Sequence, residues 1–274
     1  MKSIRMKFIR GEEVKFISHL DLMKTFERAL RRSGLPIAYS QGFNPHPQMV
    51  FGLPLSVGVT SEAEYADFDL STPVDTGEFI ERLNGSLPNG LKILNVKEKN
   101  VKDNIMASIS MARYVILVSP ELGWDAETLQ GRIKNLLESK EIIVKKEGKK
   151  GARDIDIRPM IHSIEVGKLN TEAMTGSENQ VNIQDSTKSW LNDYIEKIYK
   201  GFTKPSYNQD NIFCLNVLLS AGSAANLKPE LLVSALESYL DERLKIVKIH
   251  RTELFVDRKG NIAEPLDDKV INSQ

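Results

Sequence analysis

Apolar and polar residues alternate over Ser3–Arg10 (SIRMKFIR), with Ile4, Met6 and Phe8 on one side, and a period of two predicts a strand. The period lengthens after Ser18, where Leu20, Met23, Phe26 and Leu30 recur at helical spacing. Ser18 and Asp21 suit the cap of that helix, and Gly34 followed by Pro36 ends it. Residues 36–48 (PIAYSQGFNPHPQ) read as a loop rich in Pro and Gly. Met49–Val57 and Ala63–Leu70 read as strands, Thr76–Leu87 as a second helix, and Leu91–Lys97 as a further alternating strand. The order β-α-β-β-α-β is that of a ferredoxin-like split unit.

Residues 99–110 (KNVKDNIMASIS) are polar and weakly patterned, and read as a linker. A similar order then returns. Strands are expected at Ala112–Val118, Glu141–Lys146, Ile212–Ser220 and Leu244–Val256, with helices at Asp125–Ser139 and Pro229–Glu242. Between them lie a short strand at Asp154–Ile157, an element of undecided type at Met160–Val166, a polar stretch over Lys168–Thr187 and a helix near Trp190–Tyr199. The expectation is an α+β protein of two ferredoxin-like domains, 1–99 and 111–256. The second is enlarged by an insertion at about 147–211, and a tail follows over 257–274.

The chain has 274 residues, room for two small domains with proper cores. Its 37 Lys and Arg balance 37 Asp and Glu, which removes a globally basic nucleic-acid binder but leaves a local patch open. Cys214 is the one cysteine, so a disulfide, a cysteine zinc site and a cysteine-ligated iron–sulfur cluster cannot form within the chain. MKSIRMKFIRGEEVKF lacks the apolar run of a secretory signal, and no stretch approaches about 18 apolar residues. A cytoplasmic protein away from membranes is expected, with no metal and no cofactor.

Three stretches resemble the radical SAM-linked protein family. They are FISHLDLMKTFERALRRSGLPIAYSQGFNPHPQMVFGLPLSVGVTSEAEYADFDL (16–70), DIRPMI (156–161) and SAGSAANLKPELLVSAL (220–236), the last followed by IHRTEL (249–254). Members of that family stand as separate chains or as C-terminal extensions of a radical SAM protein. The resemblance implies an accessory role beside a radical SAM enzyme, one acting on RNA, and so a radical SAM protein and RNA as partners. With no CxxxCxxC triplet, this chain cannot itself be the radical enzyme.

Charge is unevenly distributed. Residues 1–32 hold nine basic residues (Lys2, Arg5, Lys7, Arg10, Lys15, Lys24, Arg28, Arg31 and Arg32) against four acidic ones. Lys24, Arg28, Arg31 and Arg32 fall near one face of the first helix, a pattern suited to a phosphate backbone. The competing reading is dipole compensation late in a helix, with Glu27 and Arg31 as an ordinary i, i+4 pair. Lys145, Lys146, Lys149, Lys150 and Arg153 make a second basic run. His46 sits between Pro45 and Pro47 in a loop with Tyr39, Gln41, Phe43 and Asn44; the prolines keep it out of helices and suit presentation to a ligand, or merely shape a connector. Ser223, Asn226 and Lys228 precede Pro229 at a strand-to-helix turn, a candidate phosphate cradle without the GxxxxGK[ST] pattern. His19, His162, His250 and Cys214 read as structural, and Arg158 and Arg251 stay open between structural and ligand-facing roles.

Three functions compete. The first is a binding module that holds RNA for a radical SAM enzyme. The second is a metal-independent endoribonuclease, because paired ferredoxin-like domains resemble CRISPR repeat-processing enzymes; His46 and Tyr39 would supply acid and base, with Lys24 or Arg28 on the phosphate. The third is a protein-only adaptor, whose acidic strand residues Glu62, Glu64, Asp67 and Asp69 and basic first helix meet a partner.

Overall fold

β1 (Lys2–Arg10) has an apolar and a charged face, and the surrounding structure is built on both. The computed structural model describes residues 2–148, 151–169, 212–258 and 260–272. On the apolar side, Ile4, Met6 and Phe8 share a core with Leu22, Phe26 and Leu30 of α1 (His19–Ser33) and with Phe79 and Leu83 of α2 (Thr76–Asn84). β1 lies antiparallel between β4 (Leu91–Lys99) and β3 (Thr60–Leu70), and β2 (Met49–Phe51) pairs antiparallel with β3. Phe8, Phe26 and Phe51 meet edge to face, Phe26 lying 5.0 Å from Phe8 and 5.2 Å from Phe51.

The termini of α1 follow the sequence. Ser18 Oγ accepts a hydrogen bond from the Asp21 amide, and Gly34 takes the left-handed conformation (φ 62°) that closes the helix. Three readings are corrected. β2 covers three residues rather than nine: Gly52 N makes a last bond to β3, at Tyr65 O, and Pro54 has no N–H with which to continue the ladder. α2 ends at Asn84, whose amide turns back to bond both backbone groups of Ile93 on β4. Leu20, assigned by its spacing to the buried stripe, is 67% exposed.

The second face of β1 is polar. Ser3, Arg5 and Lys7 stand opposite Asp69, Asp67 and Tyr65 of β3. The stretch read as a linker takes part in this face: Asp103 pairs with Arg5, and α3 (Ile105–Ser108) buries Ile105. Residues beyond 257 form β11 (Asn261–Ala263) and α6 (Asp268–Ile271). The Ile271 carbonyl accepts from the amides of Asn100 and Val101, and Pro265 O accepts from Arg5.

β5 (Ile109–Pro120), β9 (Ile212–Ser220) and β10 (Leu244–Arg258) are long strands. The described residues divide into two compact units interleaved along the chain. The first takes residues up to Arg113, Ser220–Asn226 and those from His250 onward; the second takes the described parts of Tyr114–Leu219 and Leu227–Ile249. In the first unit the strand order is β4-β1-β3-β10; in the second it is β10-β5-β9-β8, with β8 (Ile161–Leu169) antiparallel to β9. α4 (Ala126–Leu137) and α5 (Pro229–Leu240) supply the helices of the second unit, burying Leu129 and Ile133, and Leu232 and Leu236.

The strand expected at Glu141–Lys146 is corrected. It is β6 (Ile143–Gly148), which among the described residues pairs only with β7 (Gly151–Asp156) in a separate two-stranded hairpin, while β8 fills the place beside β9. The cause is burial: β6 and β7 have no buried residue, whereas β8 buries Ile161, Ile164 and Val166. The helix near Trp190–Tyr199, the polar stretch from 170 to 187, and Lys149 and Lys150 lie outside the described residues.

Candidate nucleic-acid interface

α1 turns about 100° per residue, which sets Lys24, Arg28, Arg31 and Arg32 in an arc of roughly 100°. That arc lies opposite the one buried by Leu22, Phe26, Ala29 and Leu30, and all four cations are exposed. They are not equally available. Arg32 Nη2 donates to Ser86 O at 2.5 Å, and Arg31 Nη2 lies 3.4 Å from Glu27 Oε1. Among the described residues no hydrogen bond or ion pair engages the side chains of Lys24 and Arg28. The other bases of the first 32 residues do not extend this surface as a raw count suggests. Arg5 and Arg10 are fully buried, and Lys2, Lys7 and Lys15 pair with Glu98, Glu264 and Glu12.

The proline-flanked loop is pinned at its neck. Ala38 donates to Asp69 O and Gln48 to Ala38 O, both at 2.8 Å, tying the loop to β3. Ser40 N donates to His46 O at 2.9 Å, and His46 N donates to Ser40 Oγ at 3.0 Å. Gln41, Gly42, Phe43, Asn44, Pro45 and His46 are exposed beyond that neck, Phe43 completely, and Tyr39 is 40% exposed. Gly42 has φ 127° with open space around it, a conformation that side-chain residues rarely adopt. His46 thus contributes its backbone to the neck, while its ring makes no hydrogen bond among the described residues.

The loop at 222–230 is built for packing at its start. Gly222 has φ 121°, and a Cβ there would stand 2.1 Å from Ile109 O. Ala221 N donates to Ser110 O. Ser223 and Asn226 are exposed in the first unit, and Lys228 is exposed at the N-cap of α5 in the second. No hydrogen bond joins this loop to the 39–47 loop among the described residues. Glu230 occupies the first turn of α5, a carboxylate that opposes an anion there. Lys145 and Arg153 are exposed on the β6–β7 hairpin, where Lys146 faces Arg153 across the ladder.

Sequence reasoning missed a buried charge system. Glu64 pairs with Arg251 at 3.0 Å, and Asp67 pairs with Arg5 at 2.7 Å, so two carboxylates of the acidic strand point into the protein. Asp69 accepts from Ser3 Oγ. Arg10 donates to carbonyls at Val14, Lys15, Leu55 and Ile17, holding the loops at that end of the sheet. Arg158 is likewise structural, bonding Leu137 O and Ile161 O. The available signal was the register: the bases of β1 alternate with its apolar residues, as do the acids of β3.

His19 packs edge-on to Phe51 at 5.9 Å, half buried near this system. Burial, then the charge of Arg10, lowers its pKa against an opposing pull from Glu64. An ordinary histidine titrates near 6.5, so as pH falls the unfolded chain takes up this proton before the folded one. Its contribution to stability is therefore complete above about pH 6.5 and is lost as pH falls toward the lowered folded value. Thermal unfolding of His19→Gln should show a smaller drop in midpoint from pH 7 to 5 than the wild type. Equal drops would remove His19 from the account.

Fold and surface together define a mixed α/β protein of mostly antiparallel strands, with a cationic helix face and an aromatic-tipped loop. The chain belongs to a bacterial family described as "Uncharacterized protein conserved in bacteria (DUF2344)", whose model matches residues 3–187. No curated protein matches. Among solved structures a similar chain occurs in "Crystal Structure of a Cbf5-Nop10-Gar1 Complex", with 10% identity and a TM-score of 0.45. The match covers 92% of this chain and 48% of that one, less than half its length. Among the described residues no helix is long and apolar enough to cross a membrane.

Proposed function

We propose that this protein binds single-stranded or looped RNA as an accessory to a radical SAM enzyme. Lys24 and Arg28, one turn apart, exposed, and in no hydrogen bond or ion pair among the described residues, are the observation that carries the reading. Surface cations left unpaired opposite a buried face suit a polyanion, and sequence-tolerant strand binding combines such cations with exposed aromatic rings. Phe43, fully exposed on a loop with a hydrogen-bonded neck, offers such a ring. The radical SAM partner rests on the family resemblance over residues 16–70. A cytoplasmic setting and a ferredoxin-like character for each half belong to the same proposal. The strand orders β4-β1-β3 and β10-β5-β9-β8 support that last element.

The test is binding of total tRNA and rRNA fragments across a salt series, with the RNA recovered and sized afterwards. Intact RNA is expected, with salt-sensitive binding that weakens in Lys24→Ala/Arg28→Ala. No binding at low salt would overturn the proposal. Cleavage that persists in chelator and disappears in His46→Ala would replace it with the nuclease reading.

A further inference from the structure

The exposed side of α1 does not begin with its cations. Leu20 lies one turn before Lys24 on the same arc, so Leu20, Lys24 and Arg28 follow one another at about 6 Å intervals. Leu20 is 67% exposed, and Phe16, just before the helix, is 73% exposed. The neighbouring turn packs beside Phe16: Gly58 N donates to Lys15 O at 2.8 Å, a Cβ on Gly58 would lie 3.9 Å from the Phe16 ring, and Val57 is 57% exposed. Lys15 Nζ stands 5.1 Å from the Phe16 ring centre. Three large apolar side chains left in water at one end of a helix, continuous with a row of cations, are not explained by the core.

We infer that Phe16 is a base-stacking platform, and that a single RNA strand runs from it along α1 toward Lys24 and Arg28. This rests on the RNA reading above and names the end of the surface that reads bases. The cations select a polyanion as occupant of the apolar patch. The exposed ring selects an unpaired base, because the faces of paired bases are already stacked within a duplex. Lys15 is committed to Glu12 at 2.8 Å, so the phosphates of the strand are met by Lys24 and Arg28 further along the helix. Leu20 and Val57 shield the stacked base from water.

The experiment compares a labelled oligouridine strand, an abasic strand of equal length and a matched RNA duplex, binding to the full chain. Phe16→Ala is expected to weaken oligouridine binding by about 5- to 150-fold, the range for loss of one base–aromatic stack. It should leave the abasic strand unaffected and the slope of affinity against salt unchanged. Phe16→Trp should restore oligouridine binding, which separates stacking from a folding defect. Oligouridine binding that depends on Lys24 and Arg28 but is unchanged in Phe16→Ala would overturn the platform while leaving the RNA reading intact. Equal loss on the abasic strand, or tighter binding of the duplex than of the single strand, would also overturn the platform. Absence of binding by all three probes would end both.

Discussion

Replacing Arg5 with leucine is expected to lower the unfolding free energy by about 3–5 kcal/mol, the range for removing one partner from a buried ion pair. Arg5 is fully buried and holds Asp67 through two bonds, Nε to Oδ1 at 2.7 Å and Nη2 to Oδ2 at 2.9 Å. Its Nη2 also reaches Asp103 Oδ1 at 2.9 Å, and Nη1 donates to Pro265 O. Burial opposes the charge on Arg5, but the bonds and charges of Asp67 and Asp103 more than offset this, so its pKa is raised. Burial likewise opposes ionised Asp103, which Arg5 and Lys99 nonetheless hold below the usual carboxylate range. Leucine leaves Asp67 with Lys99, leaves Asp103 with Lys99, Arg258 and the Ser108 hydroxyl, and releases the segment around Pro265. In Arg5→Leu/Asp67→Leu no orphaned Asp67 remains, so the double variant should lose less than the two single losses combined. Urea unfolding of the three variants measures this. A loss below about 1 kcal/mol for Arg5→Leu, or strict additivity, would remove the network from the account of stability.

Gly222→Ala should be of similar size, about 2–6 kcal/mol from a strained backbone together with an intruding methyl group. The methyl would meet the carbonyl of Ile109, which β5 cannot move without disturbing its own ladder. Ser223→Ala, one residue on and exposed, is the control and should stay within about 0.5 kcal/mol of wild type. Unfolding midpoints compare them directly, and equal midpoints would show that the turn relaxes at little cost. A large loss in Gly222→Ala gives the glycine of this turn a packing role that needs no phosphate.

Much of the first unit was legible because its signals are local. A period of two gave β1, β3 and β4, and Ser18 and Gly34 marked the ends of α1 within a residue. What the sequence could not show depends on register and on distant partners. Glu64 and Asp67 looked like an acidic surface because alternation places them beside apolar residues; only the pairing of β3 with β1 and the approach of Arg251 reveal their burial. β6 was read into the second sheet because IVKK and HSIEV carry similar local propensity, and burial of Ile161 and Ile164 decided in favour of β8. Residues 99–110 looked like a linker because the role of Asp103 lies in contacts with Arg5 and Arg258, far away in sequence. Of the site, the arc of cations on α1 was readable from spacing. The commitment of Arg32 to Ser86 O and the exposure of Leu20 and Phe16 were not, since neither follows from helical period alone.

The measurement that bears most directly on the RNA proposal is the slope of binding constant against salt concentration, on logarithmic axes, for oligouridine. Wild type and Lys24→Ala/Arg28→Ala are to be compared. For a single strand each phosphate contact contributes about 0.7 to that slope, so losing two contacts should make it shallower by about 1.4. That change, with unfolding midpoints equal between the two proteins, would assign phosphate contacts to the exposed face of α1. An unchanged slope would contradict the proposal, because the RNA would then be held by some other surface.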